Sequence, residues 1–176
     1  MLAPEIISES AVWSWNWLNA LPLVWALGFC VLILRLLAAR LMLWNTERHG
    51  TVIWSSRQPA KATHDPIVTA LEAVCLQLGI CRPVTLLLHS DKTIPVVWGI
   101  LRCHLLLPVA ARQWTGEQLR SVLLHELAHV NRRDMMAQLL AQVACALHWF
   151  NPLVWFAAWR LGVERERACD DLVLAS

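Results

Sequence analysis

The stretch Thr115-Gly116-Glu117-Gln118-Leu119-Arg120-Ser121-Val122-Leu123-Leu124-His125-Glu126-Leu127-Ala128-His129-Val130 decides how this chain is read. Thr115 stands three residues before Gln118, which predicts a capping-box helix start: each side chain can satisfy a backbone N–H at the other's position. Leu119, Val122, Leu123, Leu127 and Val130 then recur at helical spacing, and Asn131-Arg132-Arg133-Asp134 ends the apolar run. His125 and His129 are four apart and lie on one face of that helix, so both imidazoles can reach one metal ion. Glu126 comes from the same turn and can act on a water beside that ion. Two neutral nitrogen ligands with a carboxylate close by suit zinc-assisted hydrolysis of an amide. The competing interpretation is a helix with two packed or surface histidines and a solvated Glu.

A catalytic zinc needs a third protein ligand and an open fourth position. Candidates lie in Val163-Glu164-Arg165-Glu166-Arg167-Ala168-Cys169-Asp170-Asp171. Glu166 and Asp170 are four apart and share a helical face. One can bind metal while the other orients a ligand histidine. Glu164 points roughly 200° away from Glu166, since successive helical residues turn about 100°. The alternative is an exposed helix end with paired charges. Cys169 either approaches the metal or packs as a buried thiol, the commoner fate of an unpaired cysteine. His148, beside Trp149 and Phe150, reads as packing before it reads as a ligand; His89 and His104 rank with it. His104 would share a strand face with Arg102 and Leu106, which allows substrate contact. His49 and His64 read as ordinary neighbours of a linker and a cap.

Several ordered motifs now stand together. They are Leu123-Leu124-His125-Glu126-Leu127-Ala128-His129-Val130, His148-Trp149-Phe150-Asn151-Pro152-Leu153-Val154-Trp155 and Glu166-Arg167-Ala168-Cys169-Asp170-Asp171. Upstream are Arg82-Pro83-Val84 and Pro95-Val96-Val97-Trp98-Gly99-Ile100-Leu101-Arg102. Over about residues 78–176 the chain resembles the M56 peptidase family, the membrane metalloproteases of beta-lactam sensor-transducers of the BlaR/MecR type. The resemblance implies a gluzincin: zinc on His125, His129 and Glu166, with Glu126 as general base. Asp170 then orients a ligand histidine. It also implies a protein substrate near the cytoplasmic face of a membrane, either a transcriptional repressor or the protease itself. Two other classes fit the same motifs. One is a zinc-containing signalling or scaffold fragment without turnover; the other is a membrane quality-control protease, a class that shares H-E-x-x-H and E-x-x-x-D.

Composition sets wider bounds. At 176 residues the chain is long enough for one domain plus an anchor. Its apolar content of 57% and mean hydropathy of +0.48 are high for a soluble domain. A net charge of +2 gives no nucleic-acid footprint. Six cysteines without a C-x-x-C predict five or more buried thiols in a reducing compartment. Residues 10–34 carry no charge, and as a helix they would extend roughly 37 Å, enough for a bilayer core. Asn16, Asn19 and Pro22 weaken the first half, so the span is placed near 18–40, with Arg35 and Arg40 snorkelling at its end. Trp13, Trp15, Trp17, Trp25 and Trp44 bracket it, as suits half-buried indoles at an interface. Glu5 and Glu9 precede it in place of a basic region, which predicts an anchor and not a cleaved signal. A buried core helix is the soluble alternative. Arg35, Arg40 and Arg48 predict that the following domain faces the cytoplasm.

The expected organisation is an anchor over residues 1–50, a polar linker over 51–63 and a protease domain over 64–176. Asp65 as N-cap, Pro66 at the first helical position and Gly79 past the end bound one helix. Residues 84–88 and 100–107 read as strands. Ile94-Pro95-Val96-Val97-Trp98 reads as a third, kept to an edge or a strand start by Pro95. An exposed edge there could pair with an extended substrate backbone. Met135 to Trp149 is an apolar helix broken at Asn151-Pro152; it lies against or within the membrane or in the core of the protease, and 15 residues is short for a span. The fold class expected is therefore α+β: an N-terminal transmembrane helix, then a mostly helical gluzincin-like domain with a small sheet. Zn2+ is the expected cofactor. The expected partners are a protein substrate and the lipid bilayer, without direct nucleic-acid contact, and the oligomeric state stays open.

Overall fold

The computed structural model describes residues 17–49, 51–56, 65–89 and 94–175. Trp13, Trp15, Glu5, Glu9, His64 and the linker reading over 57–63 lie outside them, as do the side chains of Arg48 and His49. The architecture is α+β, mostly helical around one four-stranded sheet.

Helix α1 runs Trp17–His49, and its part Ala20–Asn45 is long and apolar enough to cross a membrane. None of its most apolar window is buried, which sets aside the core-helix alternative. Pro22, the sixth residue, lies inside the helix, where it cannot donate the backbone bond to Leu18 O. The apolar part reaches five residues beyond the expected end at residue 40, because Leu41, Met42, Leu43 and Trp44 continue it past Arg40.

Strand β1, Thr51–Ser55, follows after one residue. This corrects the linker reading over 51–55. Val52 is exposed and Trp54, two residues on, is buried, because the pairing with the next strand slips between them. Strand β1 pairs antiparallel with β2, Val84–His89, through this irregularity. Strand β3 (Val96–Trp98) and β4 (Cys103–Pro108) form a hairpin, and β4 runs parallel to β2, giving the order β1-β2-β4-β3. Residues 100–102, expected as strand, belong to the hairpin turn instead. Gly99 at φ 100 starts the reversal, and a Cβ there would overlap the Arg102 carbonyl. Arg82 Nη1 donates to Ile100 O at 3.1 Å and holds the turn.

Helix α2, Pro66–Gln77, begins as expected: Asp65 Oδ1 accepts from Ile67 N at 3.0 Å. It ends with Gly79 at φ 65 and the reciprocal bonds Ile80 N to Cys75 O and Gly79 N to Leu76 O, a Schellman stop. Helix α3 (Gly116–Asn131) carries the full capping box of Thr115 and Gln118. A turn leads to α4 (Asp134–Leu147), then Asn151 and Pro152 open α5 (Pro152–Leu174). One face of the sheet packs on α2 and α3 through Leu71, Leu86, Leu105, Leu107, Leu123 and Leu127, all fully buried. Leu87, Leu106 and Trp98 point to the other face, where Leu43 of α1 covers them. Helix α1 thus contributes Leu43 to the second core. The structure buries Cys103, Cys145 and Cys169 and leaves Cys30 and Cys81 exposed, which corrects the expectation of five or more buried thiols.

Candidate metal centre

Helices α3 and α5 pack together, and their facing sides carry the polar residues singled out above. His125 Nε2 lies 3.5 Å and His129 Nε2 3.7 Å from the same oxygen, Oε2 of Glu166. Ligands held at about 2.0–2.1 Å in a tetrahedral array stand about 3.4 Å apart, so these three donors match the spacing of a zinc shell. They form a group whose ligand atoms all lie within 4.8 Å of one another. The two imidazoles meet edge-on, 85° between planes, and both present Nε2 to the same Glu166 oxygen.

Each Nδ1 meets a carboxylate. Asp170 Oδ1 stands 3.1 Å from His125 Nδ1, and Asp134 Oδ2 stands 2.8 Å from His129 Nδ1. A carboxylate at Nδ1 keeps the proton there and leaves the Nε2 lone pair for a metal. Arg165 donates to Glu166 Oε1 from both Nε and Nη2, which frees Oε2 to face the histidines. Burial works to raise the Glu166 carboxyl, but the Arg165 hydrogen bonds and the nearby histidines outweigh it and hold it below its ordinary value. The Glu126 carboxyl moves the other way. Burial pushes it up, and the two histidines, together with a hydrogen bond from the Val97 backbone, offset that only in part.

The centre opens into a cavity of about 320 Å³ between α1, β3 and α3–α5. Glu126 and His129 line it with Val97, Trp98, Leu43 and Arg40. Strand β3, an edge strand of the sheet among the described residues, forms one wall, and the C-terminal end of the α1 apolar span forms another.

A family model described as BlaR1 peptidase M56 matches residues 5–176. The chain belongs to the M56 peptidase family. It is 27% identical over 151 residues to the regulatory protein BlaR1 of Bacillus licheniformis, covering 86% of this chain and 24% of that protein. It is 28% identical over 94 residues to the methicillin resistance mecR1 proteins of Staphylococcus aureus and Staphylococcus epidermidis, covering 53% of this chain and 16% of each of them. The chain thus spans a quarter or less of the length of these relatives. M56 peptidases are membrane-associated metalloproteases, and the paired histidines and acids offer such a family its metal.

In this M56 chain, His125, Glu126, His129, Glu166 and Asp170 come together as a group. His148 does not join them: it is exposed at the end of α4, its Nδ1 3.4 Å from Ala144 O. His104 stacks on Trp98 at 5.6 Å, and His89 ends β2; neither is in a metal-holding group among the described residues. Cys169 is fully buried, with Sγ 3.3 Å from His129 Nδ1 and 3.9 Å from Asp134 Oδ2. Burial and the Asp134 charge push its thiol up to about 11, so it packs behind His129 as a neutral thiol. His129, Asp134 and Cys169 also satisfy the spacing of a metal group, but their shared atom is the Nδ1 already held by Asp134.

Asp134 is the residue that sequence reasoning passed over, as a polar end to the apolar run. It reaches back to His129 because Arg133 adopts a left-handed conformation, φ 60 and ψ 32, which folds α4 back against α3. A carboxylate five residues after the second histidine was the available signal. Nothing in a non-glycine Arg133 announces the reversal.

Proposed function

We propose that this chain is a zinc endopeptidase unit, anchored by α1, that cuts a protein segment at the cytoplasmic face of the membrane. The observation that carries the reading is the convergence of two Nε2 atoms on one Glu166 oxygen, with Glu126 alongside and a carboxylate behind each imidazole. His125, His129 and Glu166 would hold the ion. Zinc, when bound, supplies a Lewis acid for the scissile carbonyl and for water.

The remaining steps belong to side chains. Glu126 accepts the proton of the attacking water and returns it to the leaving amine. Its raised carboxyl supports this, because a base works best when its pKa lies nearer the operating pH. Asp134 and Asp170 keep both imidazoles in one tautomer. The substrate lies extended along the outer edge of β3, with a peptide bond beside Glu126. Names such as regulatory protein BlaR1 and methicillin resistance mecR1 support a regulatory substrate: a transcriptional repressor, or the protease itself.

Glu126→Gln tests the assignment. The variant should retain metal at the wild-type ratio while proteolysis falls by at least about 100-fold, the usual share of a general base. Lost metal, or cleavage near the wild-type rate, would refute the role. Intact cells treated with a membrane-impermeant thiol reagent test the orientation in the same preparation. Exposed Cys81 should stay unlabelled until the membrane is permeabilised.

A further inference from the structure

Helices α4 and α5 form a hairpin whose far end has no role in the metal centre. Residues 135–159 contain no Asp, Glu, Lys or Arg. The outer surface of this stretch is apolar and uncovered: Phe150, Leu153, Phe156 and Trp159 are each exposed by 59% or more. In water such a contiguous aromatic patch would be an anomaly. Helix α4 is 14 residues, about 21 Å, too short to cross a hydrocarbon core of about 30 Å.

The hairpin is fastened to α1 by indoles. Trp25 Nε1 donates to Leu147 O at 3.0 Å, and Trp149 Nε1 donates to Trp25 O at 3.2 Å. The Trp149 ring lies against Gly28 so closely that a Cβ there would overlap it. These contacts fix a depth. Gly28 and Arg40, which lines the catalytic cavity, are twelve positions apart on α1, about 18 Å along its axis. The hairpin tip therefore accompanies the apolar span well past the level of the metal centre.

The turn itself is built for a place without water. A helix end leaves carbonyls unsatisfied, and in hydrocarbon each costs several kcal/mol. Here Ala144 O accepts from His148 N, Leu147 O from the Trp25 indole, His148 O from Asn151 N and Trp149 O from the Trp155 indole at 2.9 Å. Asn151 Oδ1 in turn accepts from Leu153 N. Tryptophan N–H groups do the capping that solvent performs at an ordinary exposed turn.

We propose that the α4–α5 hairpin is a re-entrant element inserted into the bilayer beside α1, which leaves the metal centre at the membrane surface. The proposal rests on α1 being a membrane span and is independent of catalysis. Its occupant is lipid: the apolar side chains exposed on α5 are matched on α1, to which the hairpin is fastened, by the equally uncovered Leu23 and Leu27. Nitroxide labels test it in the full chain, with Cys30 and Cys81 changed to Ser and the protein reconstituted in phosphatidylcholine vesicles. Labels at Leu153→Cys and Phe156→Cys should match one at Leu27→Cys, with a ratio of collisions with oxygen to collisions with a water-soluble nickel chelate several-fold above that at Leu76→Cys on α2. Hairpin labels that resemble Leu76 while Leu27 remains in lipid would overturn the proposal alone. Water access at Leu27 as well would overturn the span and the proposal together. Protection from both relaxants with spin–spin broadening would assign the face to a second copy of the chain and also overturn it.

Discussion

Asp134 and Asp170 face equivalent atoms of two histidines from unequal surroundings. The Asp134 side chain is 7% exposed and that of Asp170 66%. An interaction shielded from water is stronger than one open to it, so the two acids should contribute unequally to metal affinity. Asp134→Asn is expected to weaken zinc binding toward the upper end of the usual 10–100-fold range, and Asp170→Asn toward the lower end. Glu164→Ala should leave affinity unchanged, because Glu164 pairs with Arg160 and Arg167 away from the centre. Competition titration with a zinc chelator reads all three, and a loss at Glu164 equal to that at Asp134 would overturn the ranking. Glu126 carries a separate prediction for the metal-free chain. Its folded carboxyl is raised above the unfolded value, so the native state keeps a proton that the unfolded chain has released. Stability therefore falls as pH rises through that interval, and below the ordinary carboxylate range the penalty vanishes. Chelator-treated Glu126→Gln should melt higher than wild type at pH 7, with the gap closing below about pH 4. A gap that stays constant across this range would show that the charge is not its cause.

Strand β3 reaches the centre only because its hairpin turns tightly at Gly99, where φ is 100. Gly99→Ala adds a Cβ into the Arg102 carbonyl and forces an unfavourable backbone region, at a cost on the order of 1–3 kcal/mol. The shift should move Val97 away from Glu126 and lower activity while metal stays bound; thermal melting beside metal content and turnover would test it, and unchanged turnover would detach β3 from catalysis. What the sequence revealed follows the same division between local and distant causes. Helix α3, its capping box and the His125/His129 face were legible because each depends on residues within one or two turns. The Asp65–Pro66 start and Gly79 stop of α2 were legible for the same reason. Strand β1 was not, since its pairing with β2 depends on contacts some 30 residues away. Nor was the parallel register of β2 and β4, which no local pattern encodes. Asp134 escaped notice because its role depends on the left-handed Arg133.

Across the whole molecule, the three donors come from two helices: His125 and His129 from α3, Glu166 from α5, with all of α4 between them. An ion shared by these helices ties off a loop of roughly 40 residues. Chain-entropy reasoning for a cross-link of that size gives on the order of 4 kcal/mol. That is a large part of the stability typical of a domain. The ion is then a structural rivet as well as a reagent, and its supply sets how long each copy of the protein survives. Cells starved of zinc should hold fewer copies through faster degradation, and not a standing pool of intact idle ones. A pulse-chase in chelator-treated culture would show this as a shortened half-life, and an unchanged half-life would mean that the hydrophobic cores alone keep the chain folded.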